Sequence, residues 1–226
     1  MKLKLTLTAL AALTFTAQAT TISVNFVETS GGHPNQLLAA TTFAGIDSQS
    51  NWNNAPTPNG TQALNNSAGI VSGASVSWSS GGVWGDGDAN NDATAGVGNA
   101  QLMRGYLDDG GAGADWTVST IPYDSYTAII YYSTDAAGGL YRPITVNDTE
   151  YSTTGTKARY LGQPNWDATN SITVTGLTGD LVVDNLARDG ANRASIAGFQ
   201  IVQVPEPSGV ALLGLAGLAF IFRRRK

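Results

Sequence analysis

Ile22-Ser23-Val24-Asn25-Phe26-Val27 decides the fold class. Apolar and polar residues alternate along it. A period of two places Ile22, Val24 and Phe26 on one face of a pleated strand and Ser23 and Asn25 on the other. The stretch therefore predicts a half-buried β-strand. Outward from it, Ser75-Val76-Ser77-Trp78 repeats the pattern, and Trp116 to Ile121 follows it less strictly. Tyr126 to Tyr132 is almost wholly apolar or aromatic, as a central strand covered on both faces would be. Ile144 to Asn147, Ile172 to Thr175, Leu181 to Val183 and Ile196 to Val202 read as further strands. Gly176-Leu177-Thr178-Gly179 reads as a tight hairpin connection. Gln36 to Ala44 suits a short helix or turn, and Gln101 to Leu107 fits no single state. Asp47 to Ser67, rich in Asn, Pro and Gly, reads as a long loop, functional or mobile. No period of 20–50 residues recurs, which disfavours a solenoid or propeller. The expected fold is all-β: an antiparallel two-sheet β-sandwich of roughly eight to eleven strands, jelly-roll-like.

The two ends follow other rules. Lys2 and Lys4 precede an uncharged Leu/Ala/Thr-rich run from Leu5 to Thr16, and Ala17-Gln18-Ala19 has the small-x-small form a signal peptidase accepts. Residues 1–19 are thus expected to be a signal peptide with a helical core, cleaved after Ala19. At the other end Val204-Pro205-Glu206-Pro207 stops the last strand, because neither proline can donate to a ladder. Ser208 to Phe222 carries no charge, and Arg223-Arg224-Arg225-Lys226 closes the chain. As a helix the uncharged run would cover only about 22 Å at about 1.5 Å per residue, against a hydrocarbon core of about 30 Å. Terminal basic residues held on the cytoplasmic side and local thinning of the bilayer accommodate that mismatch.

Pro205-Glu206-Pro207, a short Gly/Ala/Leu-rich hydrophobic helix and a closing cluster of Arg223, Arg224 and Arg225 resemble the PEP-CTERM sorting signal. The resemblance covers residues 204–226. It implies that a membrane-embedded exosortase recognises Pro205, Glu206 and Pro207 and removes the tail. It also implies transient anchoring in the inner membrane, then release to the cell surface or extracellular matrix of a bacterium that makes exopolysaccharide. The remaining residues, 20–203, loosely resemble jelly-roll-like surface domains of such proteins. That likeness rests on Asn51-Trp52-Asn53-Asn54, Leu102 to Asp109 and Ile196 to Ile201, and on the Ile121-Pro122…Tyr126 strand entry. It carries no catalytic residue with it.

Residues 20–203 are long enough for one domain with a sizeable core. The ends hold six of the twelve Lys and Arg but only Glu206 of the seventeen acids, leaving the domain six basic against sixteen acidic residues. A net charge of minus ten repels phosphate backbones, which argues against nucleic-acid partners. The absence of cysteine excludes disulfides, thiolate nucleophiles and Cys-ligated zinc. The single histidine, His33, cannot build a multi-His metal site and lies in a Gly/Pro-rich stretch.

Three features could carry chemistry. Asp86, Asp88, Asn90 and Asp92 alternate oxygen ligands as a Ca²⁺ loop does; the alternative is a solvated polar loop kept flexible by glycine, and no cofactor other than calcium is suggested. The EF-hand pattern is incomplete, with Asn91 at the glycine position and Val97 at the glutamate position. Asp108 to Asp115 holds a single Gly-Gly-x-Gly-x-Asp unit, better read as a turn ahead of the Trp116 strand. Of five tryptophans, Trp78 and Trp116 sit in strand patterns, whereas Trp52, Trp84 and Trp166 lie among Asn, Gly and Asp. Rings so placed either cap a sandwich or grip the faces of sugar rings. No Gly-x-Ser-x-Gly, His-Glu-x-x-His or phosphate-binding loop occurs. Glycoside hydrolysis needs only two carboxylates about 5–9.5 Å apart, and nothing singles out a pair. The leading expectation is a non-enzymatic surface or matrix protein whose export partners are signal peptidase and exosortase. A polysaccharide-binding module is the alternative, and a secreted polysaccharide-active enzyme the second.

Overall fold

The alternating stretch forms β1 (Thr21–Phe26), and every one of its six residues is buried, not only the apolar face. The reason lies in what covers it. In the computed structural model, which describes residues 19–28, 37–85, 98–134, 141–153, 170–185, 189–190 and 192–205, β1 is an inner strand of the first of two sheets. That sheet is ordered β11 (Ser171–Leu177), β8 (Tyr126–Tyr132), β13 (Ile196–Gln203), β1 and β2 (Asn53–Ala55). Beside β13 it also takes up β6 (Gly105–Asp108), which pairs with β5 (Gly82–Gly85). The second sheet is ordered β10 (Thr149–Tyr151), β9 (Ile144–Val146), β12 (Leu181–Asn185), β7 (Ala114–Ser119), β4 (Val71–Ser80) and β3 (Asn59–Asn65). All pairs are antiparallel except β1 with β2. The only helix among the described residues is the five-residue α1 (Gly98–Leu102).

The two sheets share one core. Ile22, Val24 and Phe26, with Ile130, Phe199 and Ile201, meet Val76, Trp78, Trp116, Val118, Val146 and Val183. Trp116 stacks on Phe199 with ring centres 4.2 Å apart and planes 6° from parallel. Phe26 is tilted against both Trp78 and Trp116, at 6.2 and 6.3 Å. Such pairs add about 0.5–1.5 kcal/mol each beyond the burial of their area. Trp78 and Trp116 are thus core residues, as their strand patterns predict.

The outer face of the first sheet is covered too. Leu38, Ala44, Trp52, Leu102 and Met103 pack over Ile129, Tyr131 and Ala197. The polar residues on that face are hydrogen-bonded, as buried polar groups must be. Tyr131 Oη donates to Gln200 Oε1 and accepts from Ile46 N at 2.8 Å. Gln200 Nε2 donates to Ser23 Oγ and to the Asp47 carbonyl, and Thr21 Oγ1 donates to Asp47 Oδ2. Asn53 Nδ2 reaches the carbonyls of Ser23 and Asn65, while Asn54 bonds both backbone groups of Leu38. The stretch expected as one long loop from Asp47 to Ser67 therefore holds two strands, β2 and β3, fixed by asparagine side chains.

Two connections also differ from expectation. β11 pairs with β8, whereas β12 pairs with β7 and β9, so the turn after Leu177 crosses between sheets and is not a hairpin. Gly176, at φ 73°, sits in a register shift of β11 where an L side chain would be strained. The true tight hairpin is β9–β10, whose Asn147 (φ 44°) and Asp148 (φ 63°) have the two positive φ values of a type I′ turn.

The chain divides into two units, Thr20–Val204 and the ends, Met1–Ala19 with Pro205–Lys226. The expected signal helix (residues 1–18) and hydrophobic helix (208–222) lie outside the described residues. Among the described residues no helix is long and apolar enough to cross a membrane.

Candidate functional site

Pairing register sorts the connections of Thr20–Val204 into two poles. At one pole lie the turns 66–70, 120–125, 147–148 and 178–180, together with Thr20 and Val204. At the other lie the start of β5, the β6–β7 connection, the ends of β8 and β12, and the start of β13.

The first pole fixes the point where the chain leaves the domain. β13 is held between β1 and β8 along most of its length. Its last residue, Gln203, donates its N–H to the Thr20 carbonyl at 3.1 Å and accepts from Thr20 Oγ1 at 2.9 Å. Val204 N then donates to the Ser125 carbonyl at 3.1 Å. Pro205 follows directly and is exposed. Thr20, the first residue beyond the expected signal cleavage, is thus joined to the last residue of the final strand. Of the expected processing residues, Ala19 and Pro205 are described. Ala17, Glu206, Pro207, Arg223, Arg224 and Arg225 lie outside the described residues.

The second pole holds Trp84 and a buried ion pair. Trp84 lies on β5, opposite Tyr106 of β6, and not in the loop expected for it. Half of the residue is exposed (50%), in contrast to Trp52, Trp78 and Trp116. Its indole is folded back along its own strand. A Cβ placed on Gly82 would meet Trp84 Nε1 at 3.4 Å and the Cβ of Asp108 at 4.0 Å. The ring therefore lies beside Gly82, whose cross-strand partner is Asp108. Asp108 Oδ1 accepts from Arg193 Nη2 at 2.9 Å, with both side chains largely buried. Arg193 Nε lies 3.2 Å from Asp109 Oδ1 but off the hydrogen-bond line, so this contact is ionic. Asp109, fully buried, accepts from Ala194 N at 2.6 Å and Ser195 Oγ at 2.9 Å. One guanidinium thus faces two carboxylates just ahead of β13. Nearby on β8, burial raises the Tyr132 phenol above its ordinary value, and Tyr141 is pushed up to about 12, chiefly by burial.

The three expected sugar-facing tryptophans are not brought together. Trp52 is 5% exposed, tilted against Tyr131 at 6.3 Å, and donates Nε1 to the Gln49 carbonyl at 2.9 Å. Its ring seals the outer face of the first sheet and is closed to a ligand. Trp166 lies outside the described residues, as do Asp86, Asp88, Asn90 and Asp92 of the expected calcium loop. Among the described residues no group of three or more His, Asp or Glu is placed to hold a metal ion. The Asp108–Arg193 pair escaped the reading of the sequence. Its only signal there is an arginine three residues before an apolar strand, in a domain with few basic residues.

No curated protein and no solved structure matches the chain. Residues 203–226 match the family model for the PEP-CTERM protein-sorting motif, which implies processing by an exosortase and export to the cell surface or extracellular space.

Proposed function

We propose that the chain is a non-enzymatic protein of the cell surface or extracellular matrix. In this reading residues 1–19 direct export, and the C-terminal tail holds the protein briefly in the inner membrane. Exosortase then acts at Pro205, Glu206 and Pro207. The observation that carries this is the 203–226 motif beginning where β13 ends. The domain itself reads as a jelly-roll-like β-sandwich. The order β1–β13–β8–β11 in one sheet and β7–β12–β9–β10 in the other is that of a jelly roll, with the remaining strands added around it. Mass spectrometry of wild-type surface material is expected to find a C-terminus near Pro207. Alanine at Pro205, Glu206 and Pro207 is expected to leave uncleaved protein in the membrane. Surface protein that still ends in Lys226 would refute the reading.

Trp84 favours a second reading, a glycan-binding surface. A half-exposed indole on β5 offers a flat apolar face, and Asp108 on the paired strand β6 supplies a carboxylate–guanidinium pair, the two kinds of group that sugar recognition needs. Retardation in gels containing neutral polysaccharide, lost in Trp84→Ala at unchanged thermal stability, is the expected result. Equal mobility of the two proteins in every gel would remove this reading.

A further inference from the structure

The junction between β13 and the sorting motif has no linker, and this has a consequence for processing. β13 is a central strand whose Ile196, Phe199 and Ile201 lie in the shared core, so its C-terminal end cannot leave the sheet freely. Hydrogen bonding continues through Gln203 to Val204 N, and Pro205 is the next residue. A protease that binds its substrate in extended form engages several residues on the N-terminal side of the bond it cuts, as strand-like peptide recognition does in general. For a cut near Pro207, those residues are Pro205-Glu206-Pro207 and, directly behind them, Val204 and Gln203, already engaged with Ser125 and Thr20.

We propose that the folded domain gates its own processing: tail removal requires the Gln203–Val204 end of β13 to detach from Thr20 and Ser125. This rests on the reading that an exosortase cuts the tail. Signal cleavage bears on the same gate, since Thr20, the residue it would leave at the N-terminus, takes part in three of the four bonds that hold the strand end. Each net hydrogen bond favours the closed form by about fivefold. Acting together they hold the frayed form below roughly one part in a hundred.

The test is a pulse-chase of the full chain in cells, following loss of the tail. One variant carries a flexible Gly/Ser insertion between Val204 and Pro205. A second, Gln203→Ala, removes only the two bonds that the Gln203 side chain accepts from Thr20 N and Oγ1. The expected result is tail removal at least about tenfold faster with the insertion, and about two- to fivefold faster in Gln203→Ala. Rates equal to or below wild type in the insertion variant, with the wild-type tail still removed, would overturn the gate and leave the sorting reading intact. A wild-type tail that is never removed would overturn both.

Discussion

Replacing Trp52 with alanine separates the structural role of this ring from the exposed placement its sequence neighbours suggest. The indole is 5% exposed and fills the layer between segment 37–55 and the outer face of the first sheet. A tryptophan buries about 150–250 Å², which at about 25 cal/mol per Å² is about 4–6 kcal/mol, an upper bound because the unfolded chain already hides some area. Aromatic truncations in cores cost about 3–5 kcal/mol. The lost Nε1 bond to the Gln49 carbonyl adds about 1 kcal/mol. A domain of this size has about 5–15 kcal/mol in total, so the variant should fold but with little margin. At about 2–4 °C per kcal/mol, the thermal midpoint should fall by roughly 8–24 °C. Calorimetry and urea unfolding of the exported domain measure both quantities. Trp84→Ala, which exposes a ring already half in solvent, should move the midpoint by less than about 3 °C. A loss below about 1 kcal/mol in Trp52→Ala would show that the covering layer contributes nothing, and the account of β1 as buried on both faces would fail with it.

Three further outcomes follow from the same contacts. Asp109→Ala strips acceptors from Ala194 N and Ser195 Oγ and a counter-charge from Arg193, and should cost about 3–5 kcal/mol in urea unfolding. Gly198→Ala drives a Cβ to 2.3 Å from the Val24 carbonyl and should destabilise by about 1–3 kcal/mol, or prevent soluble expression; a neutral result would contradict the close approach of β13 to β1. Tyr126 and Tyr141 are both raised to about 12 by burial, with the Asp180 charge adding to the shift at Tyr126. Their folded values lie above the unfolded one, so this stability is complete below about pH 10 and is lost between about pH 10 and 12, as the unfolded chain ionises first. The loss should reach about 1.4 kcal/mol per tyrosine at pH 11, and a midpoint constant from pH 9 to 11 would contradict it.

How far the fold was legible depended on which force sets each strand. β1, β4, β7, β8, β9, β11, β12 and β13 carry β-branched and aromatic residues that must be buried, and their periodicity shows in the sequence. β2, β3, β5, β6 and β10 are short or rich in Asn, Gly and Thr, and their extended state comes from their partners. Asn53-Asn54-Ala55 is strand because Asn53 and Asn54 bind the backbones of β1, β3 and segment 37–55. The amides around Trp52 suggest an exposed ring, yet they face main-chain groups and seal it in. Trp84, in a glycine-flanked strand the sequence does not announce, is the ring left half open.

The order of the strands bears on when this domain can fold. β1 and β13 are neighbours in the first sheet although they are the first and last strands among the described residues. Ring closure over that length costs entropy that no local contact repays, so their pairing comes late. Until β13 enters, β1 and β8 each lack a partner on that side and Trp116 lacks the Phe199 face it stacks on. An exported chain emerges N-terminus first, and β13 is the last strand to follow. The segment that completes the core is therefore the one that leads into the sorting motif, and folding pulls Gln203 and Val204 into the sheet just ahead of Pro205. Completion of the fold and accessibility of the tail are two readings of one structural event.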